Sequence, residues 1–292
     1  MKWDPSLEFF LKCSYQDITW QLKSFSESTF PLNFIECKMQ RLEQISLGYA
    51  VESSQDLAVK KSFAEAWERL CFSNIYSENN LEFRNTSGFA AGDSLAMASK
   101  NAKEELIERA VFLTAWQSQS GWRKVNFSKL KTRYLKFALS LKGWKLDLYD
   151  LKSSEGIVKC LVARHKDRGL VFDSAFCENS FSTELKLLNS VLKNIFLPSV
   201  NPINKLTENS RPIDHAKFYA SPEHLKSLDF LSLDLNAGVV FKLENPELLE
   251  TNVIYDEEDF PTVVACSHPT WPKISWGTNS IQGKNPWPHP LA

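Results

Sequence analysis

The stretch Ser87–Arg109, S-G-F-A-A-G-D-S-L-A-M-A-S-K-N-A-K-E-E-L-I-E-R, decides the fold. A small-residue loop with two glycines, Gly88 and Gly92, runs into a helix. Asp93 or Ser94 supplies the N-cap, because a short side-chain oxygen there accepts from the orphan amides of the first turn. Glycine lets the backbone come close to whatever sits above the loop. The helix start adds free N–H groups and a positive dipole end, which favour an anion. Asn101, Glu105 and Glu108 then follow at i, i+4 and i+7 on one face, while Ala102, Leu106, Ala110 and Leu113 form the apolar one.

Upstream, Asp56–Leu70 reads D-L-A-V-K-K-S-F-A-E-A-W-E-R-L. Placing Ala58 on Ala98 aligns Glu65 with Glu105, Glu68 with Glu108 and Arg69 with Arg109, an internal duplication. Phe63, Ala66, Trp67 and Leu70 make the apolar stripe of the first copy. With the two helices side by side, four carboxylates meet over the Gly88–Gly92 loop. Like charges at such range destabilise a partly buried site unless cations neutralise them. Mg²⁺ with a nucleotide triphosphate suits that task, since it takes oxygen ligands and shares them with phosphates.

The 292 residues hold ample length for a core, and 43% hydrophobic with 24% charged residues is ordinary for a globular chain. Lys+Arg 34 against Asp+Glu 35 leaves a net charge of −1, so no global field favours nucleic acid or an anionic membrane. Six scattered cysteines without a C-x-x-C pair point to reduced, buried thiols in a cytoplasmic chain. Asp4 and Glu8 interrupt the one apolar N-terminal stretch, so no signal peptide is expected. No run approaches the about 20 apolar residues of a membrane span.

Taken in order, residues 1–55 read as a helix or two followed by a strand–turn–strand region that includes Pro31–Cys37. Ser73–Arg84 reads as a polar connection. Apolar spacing predicts a helix over Phe127–Leu141, ended by Gly143. Trp144–Leu151 and Ile157–Arg164 alternate as strands around the hairpin signal Ser153-Ser-Glu-Gly. Helices are expected at Ser182–Ile195 and Ser221–Asp229, and a strand at Phe260–Cys266. The chain reads as one α/β or α+β domain. The scattered histidines read as structural, and the acidic run Asp256–Asp259 as a solvated loop. Pro286, Pro288 and Pro290 alternate in a stiff, extended tail that either docks on the body or serves another protein as a ligand. Trp271, Trp276 and Trp287 near that end are core residues or the lining of a peptide groove.

The loop and helix S-G-F-A-A-G-D-S…A-x6-E-L-I-E-R, the upstream A-V-K-K-S-F-A-E-A-W-E-R and the tail P-W-P-H-P-L-A together resemble the YcaO superfamily, its azoline-forming members in the tail. The resemblance covers Gly48–Trp116 and the last few residues most fully. It implies an α+β fold, a single YcaO-like domain over 1–292 with its duplicated helical motif at 56–70 and 93–110 packed on a mixed β-sheet. The Pro-rich tail occupies 284–292.

The activity implied is ATP- and Mg²⁺-dependent phosphorylation of a peptide backbone amide, with cyclodehydration of Cys, Ser or Thr to an azoline in a ribosomally made peptide. Glu65, Glu68, Glu105 and Glu108 match the metal- and nucleotide-binding carboxylates. Ser87, Gly88, Asp93 (where the family usually has Asn), Asn101 and Arg109 join them toward the nucleotide. Arg69 and Arg109 instead orient their helices through i,i+4 pairs with Glu65 and Glu105, or do both. Pro288, His289, Pro290 and the Ala292 carboxylate are the tail's candidates at the catalytic centre. The implied partners are a precursor peptide and a leader-binding or other partner protein, with no nucleic acid or membrane and with room for a homodimer. Met97 stands where the family has a metal-holding Glu, and Ala110 where it has Asp. Asn189, Ser190 and Lys193 lie where it often carries R-A-L-x-E. A degenerate scaffold subunit, or a thioamide-forming or modification-assisting member, therefore stays open beside the cyclodehydratase.

Overall fold

A computed structural model describes residues 6–15, 17–27, 30–79, 87–128, 130–196, 202–207, 210, 212–232, 238–272, 274 and 283–290. In chain order the elements are β1 (Ser6–Tyr15), β2 (Ile18–Glu27), β3 (Phe30–Arg41), β4 (Gln44–Glu52), α1 (Gln55–Asn79), β5 (Phe89–Gly92) and α2 (Leu95–Ser118). Then come β6 (Arg123–Val125), α3 (Leu130–Leu141), β7 (Trp144–Ser153), β8 (Gly156–His165), β9 (Gly169–Phe176), α4 (Ser180–Phe196) and α5 (Pro212–Tyr219). The 3₁₀ segment Pro222–Ser232 precedes β10 (Val240–Phe241), β11 (Glu250–Tyr255) and β12 (Thr262–Ser267). The fold is α+β, and the chain divides into two compact units. One comprises residues 1–106 and 248–269, the other residues 107–247 and 270–292.

In the first unit β1–β4 form an antiparallel meander, and β11-β12-β5 a second antiparallel sheet. The helix expected within residues 1–55 is therefore corrected to strands. Ile18, Trp20 and Leu22 alternate with Thr19, Gln21 and Lys23, a period of two, and Ile18 and Leu22 are buried. The loop expected at Gly88–Gly92 is corrected as well: Phe89–Gly92 is a strand, paired antiparallel with β12 from Ala265 to Thr262. The polar connection expected from Ser73 is instead the end of α1. There Ser73 Oγ donates back to the Arg69 carbonyl at 2.9 Å, and the helix continues to Asn79. Residues 80–84 lie outside the described ones.

The duplication is structural. Ser54 and Ser94 cap α1 and α2 at the same offset as the glutamates, their carbonyls accepting from Ala58 and Ala98 at 3.0 and 2.8 Å. Trp67 of α1 stacks on Phe260 with centroids 4.4 Å apart and donates its indole N–H to the Pro261 carbonyl at 3.0 Å. The apolar stripe read from the sequence thus faces this core. At Gly48 in β4 a Cβ would lie 2.0 Å from the Ser62 carbonyl oxygen and 2.5 Å from the Ala66 amide nitrogen, so α1 lies backbone to backbone on the strand.

The second unit is built on a mixed sheet, β10-β7-β8-β9 with β6 also on β7, parallel only at β10. Ser153 pairs with Gly156 across the expected two-residue turn. Phe112 of α2 packs on Phe172 of β9, and Trp122 meets Tyr149 of β7 edge-on. The α4 carboxylate of Glu184, 1% exposed, accepts from Ser128 N and Oγ at 2.9 and 3.0 Å and from Ser180 Oγ at 3.0 Å. It serves the residues just before α3 as a cap from another helix. Asp150 and Asp147 of β7 are buried with Lys159 and Arg123 on the first, and Lys124 and Arg164 on the second. The helix expected at Ser221–Asp229 is 3₁₀. Strands β6, β9, β10 and β11 and helix α5 are elements the sequence reading did not name. No helix among the described residues is long and apolar enough to cross a membrane.

Gly48→Ala tests the close approach. It destabilises the chain by about 1–3 kcal/mol or more in urea unfolding, because the helix must move off the strand. Gly238→Ala, with nothing within 4 Å of the added carbon, stays within about 0.5 kcal/mol of the parent.

Candidate functional site

Within the first unit, α1 delivers two carboxylates to strand backbone. Glu65 Oε2 accepts the Tyr49 N–H at 2.8 Å, and Arg69, one turn later, donates to Glu65 Oε1 at 2.7 Å. The i,i+4 orienting pair is therefore present in the first copy, and Arg69 also donates to the Leu47 carbonyl at 2.6 Å. Glu68 Oε2 accepts the Ala91 N–H in β5 at 3.1 Å, and Asn101 of α2 donates to the Ala91 carbonyl at 3.1 Å. Both backbone groups of Ala91 are thus held by side chains, one from each copy of the motif.

Glu68 is the strained member. Desolvation pushes its carboxyl well above the ordinary carboxylate range, and the charges of Glu105 and Glu65 push it further. The Ala91 N–H and Arg69 pull the other way without overcoming this. Glu65, Glu68 and Glu105 therefore lie close enough for their charges to conflict, whereas Glu108, the fourth glutamate of the expected cluster, is influenced by Arg109, Lys186 and Asp173. Carboxylate oxygens with surplus negative charge suit a hard divalent cation. No group of three or more His, Cys, Asp or Glu among the described residues is arranged to hold a metal unaided.

Around the β5–α2 junction, Ser94 rather than Asp93 is the observed cap, with the Met97 N–H 3.3 Å from Ser94 Oγ; Asp93 is exposed beside it. Gly88 has φ +77°, and its carbonyl accepts the Cys266 N–H at 2.6 Å. A Cβ on Gly88 would fall 2.3 Å from the Cys266 oxygen, and one on Gly92 2.5 Å from the Ala98 nitrogen. Both glycines admit neighbouring protein backbone. Ser87 precedes this strand, half-buried.

Within the second unit, Glu108 is 5% exposed and accepts Ser174 Oγ of β9 at 2.7 Å, with Arg109 Nη1 at 3.3 Å. Burial raises its carboxyl, while Arg109, Lys186 and the Ser174 hydroxyl hold it down. The same burial, with the Glu108 and Asp173 charges, lifts the Cys160 thiol well above its usual range, so that thiol is an inert core group. Ser174 escaped the sequence reading because it lies on β9, and no local motif marks it.

The tail docks, as one of its two readings held. Gly283–Pro290 lies in the second unit. Three successive carbonyls are taken by side chains: Trp287 O by Trp116 Nε1 at 3.1 Å, Pro288 O by the Tyr219 hydroxyl, and His289 O by His215 Nδ1 at 2.9 Å. Asn285 Nδ2 donates to the Trp116 carbonyl at 3.1 Å. His289, 1% exposed, stacks on His215 with centroids 4.9 Å apart, and Pro288 and Pro290 are buried. Ala292 and Trp276 lie outside the described residues. Trp271 is a core residue that donates to the Glu244 carbonyl at 2.8 Å.

The family model described as "YcaO cyclodehydratase, ATP- and Mg²⁺-binding" matches residues 76–189, from the end of α1 into α4. The resemblance to the YcaO superfamily is thus matched by a family model over that span. The matched span holds Ser87–Arg109 but neither Glu65, Glu68 nor the tail. A YcaO protein of Methanopyrus kandleri, solved bound with AMPPCP and Mg²⁺, is similar in fold. Its TM-score is 0.61 at 11% identity, over 84% of this chain and 84% of that one. A chain of the E. coli microcin synthetase McbBCD complex with pro-MccB17 bound gives 0.62 at 8% identity, over 86% of this chain and 88% of that one. Another structure of the E. coli McbBCD complex gives 0.56 at 9% identity, over 90% of this chain and 88% of that one. No curated protein matches the sequence significantly. At these identities the structural likeness is one of YcaO fold.

Two outcomes follow from the titrations. Since Glu68 is raised from 4.5 in the fold, the folded chain keeps a proton that the unfolded chain releases, so stability falls as pH rises from about 4.5. Glu68→Gln removes that penalty and stabilises the ligand-free chain at neutral pH by about 1 kcal/mol, ~2–4 °C in melting temperature. His215 is lowered from 6.5 by burial, against the His289 carbonyl and Asp214. A detached tail and its site then take up a proton that the docked state refuses, so docking weakens as pH falls below 6.5. Hydrogen exchange of the 283–290 amides, corrected for intrinsic rates, reads this, and His215→Gln flattens the response.

Proposed function

We propose that this YcaO chain uses ATP and Mg²⁺ to phosphorylate a peptide backbone amide, cyclodehydrating a Cys, Ser or Thr to an azoline in a ribosomally made peptide that a partner protein presents. In that reaction the substrate's thiol or hydroxyl attacks the preceding amide carbon, and the amide oxygen takes the γ-phosphoryl of ATP. Phosphate then departs with that oxygen, the amide nitrogen gives up its proton, and the C=N bond of the azoline forms in the ring that the attack had closed. The observation that carries the reading is the charge conflict at Glu68, whose carboxylate is desolvated beside Glu105 yet aimed at β5 backbone. Such strain is stored at a site that expects a ligand to relieve it.

Of the four matched glutamates, Glu65, Glu68 and Glu105 of the first unit would hold Mg²⁺ and, through it, the triphosphate, while Glu108 is engaged by Ser174 and Arg109 in the second; bound there, Mg²⁺ would supply neutralisation of the charge on the transferring phosphoryl group. Asn101 and Glu68 fix β5 at Ala91, which keeps the β5–α2 junction with Ser87, Gly88 and Asp93 in place beside the carboxylates of the first unit. Arg69 orients Glu65, and Arg109 neutralises Glu108. Pro288, His289, Pro290 and Ala292 are the tail's candidates in that chemistry, and of these the backbone at Pro288 and His289 is held by Tyr219 and His215. Two of the proteins similar in fold support this reading: one was solved with AMPPCP and Mg²⁺, the other as a synthetase complex with pro-MccB17 bound.

A scaffold reading draws on Met97, which is 48% exposed where the family has a glutamate. Calorimetric titration of ATP, with and without Mg²⁺, separates the two. Mg²⁺-dependent binding to the parent that falls by about tenfold or more in Glu105→Ala, a loss of ~1.4 kcal/mol, supports the enzyme. A parent chain that binds no Mg²⁺–ATP at millimolar concentration leaves the scaffold.

A further inference from the structure

From Arg123 to Lys145 the sequence holds eight basic residues and no acidic one, in a chain whose net charge is −1. This run includes α3, whose Leu135, Ala138 and Leu139 are buried. Its other side carries Tyr134, Phe137 and Leu141, which are 57%, 59% and 73% exposed. They stand at i, i+3 and i+7, one continuous apolar row on the outer face of the helix. Beside the row, between the end of α3 and the start of β7, lies a cavity of about 420 Å³ lined by Lys136, Ser140, Trp144, Lys145 and Leu146, with Asp147 at its wall.

The charges there are unequally used. Asp147 is already neutralised by Lys124 and Arg164, and Arg123 by Asp150. Arg133 Nε donates to the Phe127 carbonyl at 3.1 Å. No carboxylate among the described residues pairs with Lys136 or Lys145. Lys136 sits 5.3 Å over the Phe127 ring. Desolvation and the charges of Lys124 and Lys145 lower its ammonium below the usual lysine range, so positive charge is crowded at the cavity.

We propose that this face of α3 and the adjoining cavity dock an acidic, amphipathic polypeptide segment. Its apolar side chains cover Tyr134, Phe137 and Leu141, and its carboxylates meet Lys136 and Lys145. Apolar anchors at i, i+3 and i+7 are the signature of helix-type packing against another polypeptide. A stacking platform for nucleic-acid bases asks instead for successive aromatics along a groove, and Leu141, the most exposed of the three, offers no ring. Phosphate is best gripped by arginine forks, and Arg123, Arg133 and Arg164 are engaged within the fold. An anionic membrane would need a longer apolar face than three residues give. The proposal stands whether or not the chain activates amides.

The test is fluorescence anisotropy on the full chain with a labelled synthetic peptide whose Leu and Phe recur at i, i+3 and i+7 with Glu at the positions between. Controls are the same peptide with Lys for Glu, single-stranded oligouridylate, and phosphatidylserine vesicles. The acidic peptide is expected to bind about tenfold or more tighter than the Lys peptide and to weaken with salt. Lys136→Glu/Lys145→Glu and, separately, Phe137→Ala/Leu141→Ala each weaken it by about tenfold or more. All four side chains lie at the surface, and an unchanged melting temperature certifies each variant as folded. Oligouridylate or vesicles binding more tightly than the acidic peptide would overturn the proposal. So would acidic-peptide binding that neither double variant disturbs, or none at millimolar peptide.

Discussion

A helix can rest its backbone on a strand only where the strand has no side chain in the way. Gly48 is that place in β4, and the contact sets the height of α1 above the sheet. At that height Glu65 reaches the Tyr49 amide in the same strand, and Glu68 reaches Ala91 in β5. A bulkier residue at position 48 would lift both carboxylates from the backbone that positions them. The second copy repeats the device with other atoms: Gly92 admits the first turn of α2 at Ala98, and Asn101 closes on Ala91. Packing and chemistry are therefore one constraint, since the residues that let the helices approach also decide where the acids point.

Much of this was readable in advance because it is local or repeated. The β7–β8 hairpin, helices α3 and α4 and the cap, narrowed to Asp93 or Ser94, all rest on short-range patterns, while the tail, readable as stiff, left open whether it docks. Pro31–Cys37 was legible as part of β3, whereas the residues before it were expected to be helical despite the period-two alternation of Ile18–Lys23. Strand β11 defeats pattern reading for another reason: Glu250, Thr251, Asn252 and Val253 are all exposed, so no face of it announces a core. Partners supplied from across the fold were invisible. Ser174 on Glu108 is 66 residues away, and Glu184 caps a segment 56 residues before it. The resemblance to the YcaO superfamily recovered the acids but none of these supports.

The two compact units handle buried charge in opposite ways. On β7 each buried aspartate has two cationic partners. At Glu68 a carboxylate is desolvated beside other carboxylates, with Arg69 as its compensating cation and an amide as its donor. Protein interiors tolerate the first arrangement as structure. The second costs stability and is retained where something outside the chain is to complete it.

The tail shows a different economy. Its three consecutive carbonyls are read by Trp116, Tyr219 and His215, so recognition falls on the main chain. Substituting a tail side chain leaves those acceptors in place, whereas inserting or deleting a single residue after Asn285 shifts every one out of register. The C-terminal segment thus encodes spacing as well as the side chains it buries, Asn285, Pro288, His289 and Pro290.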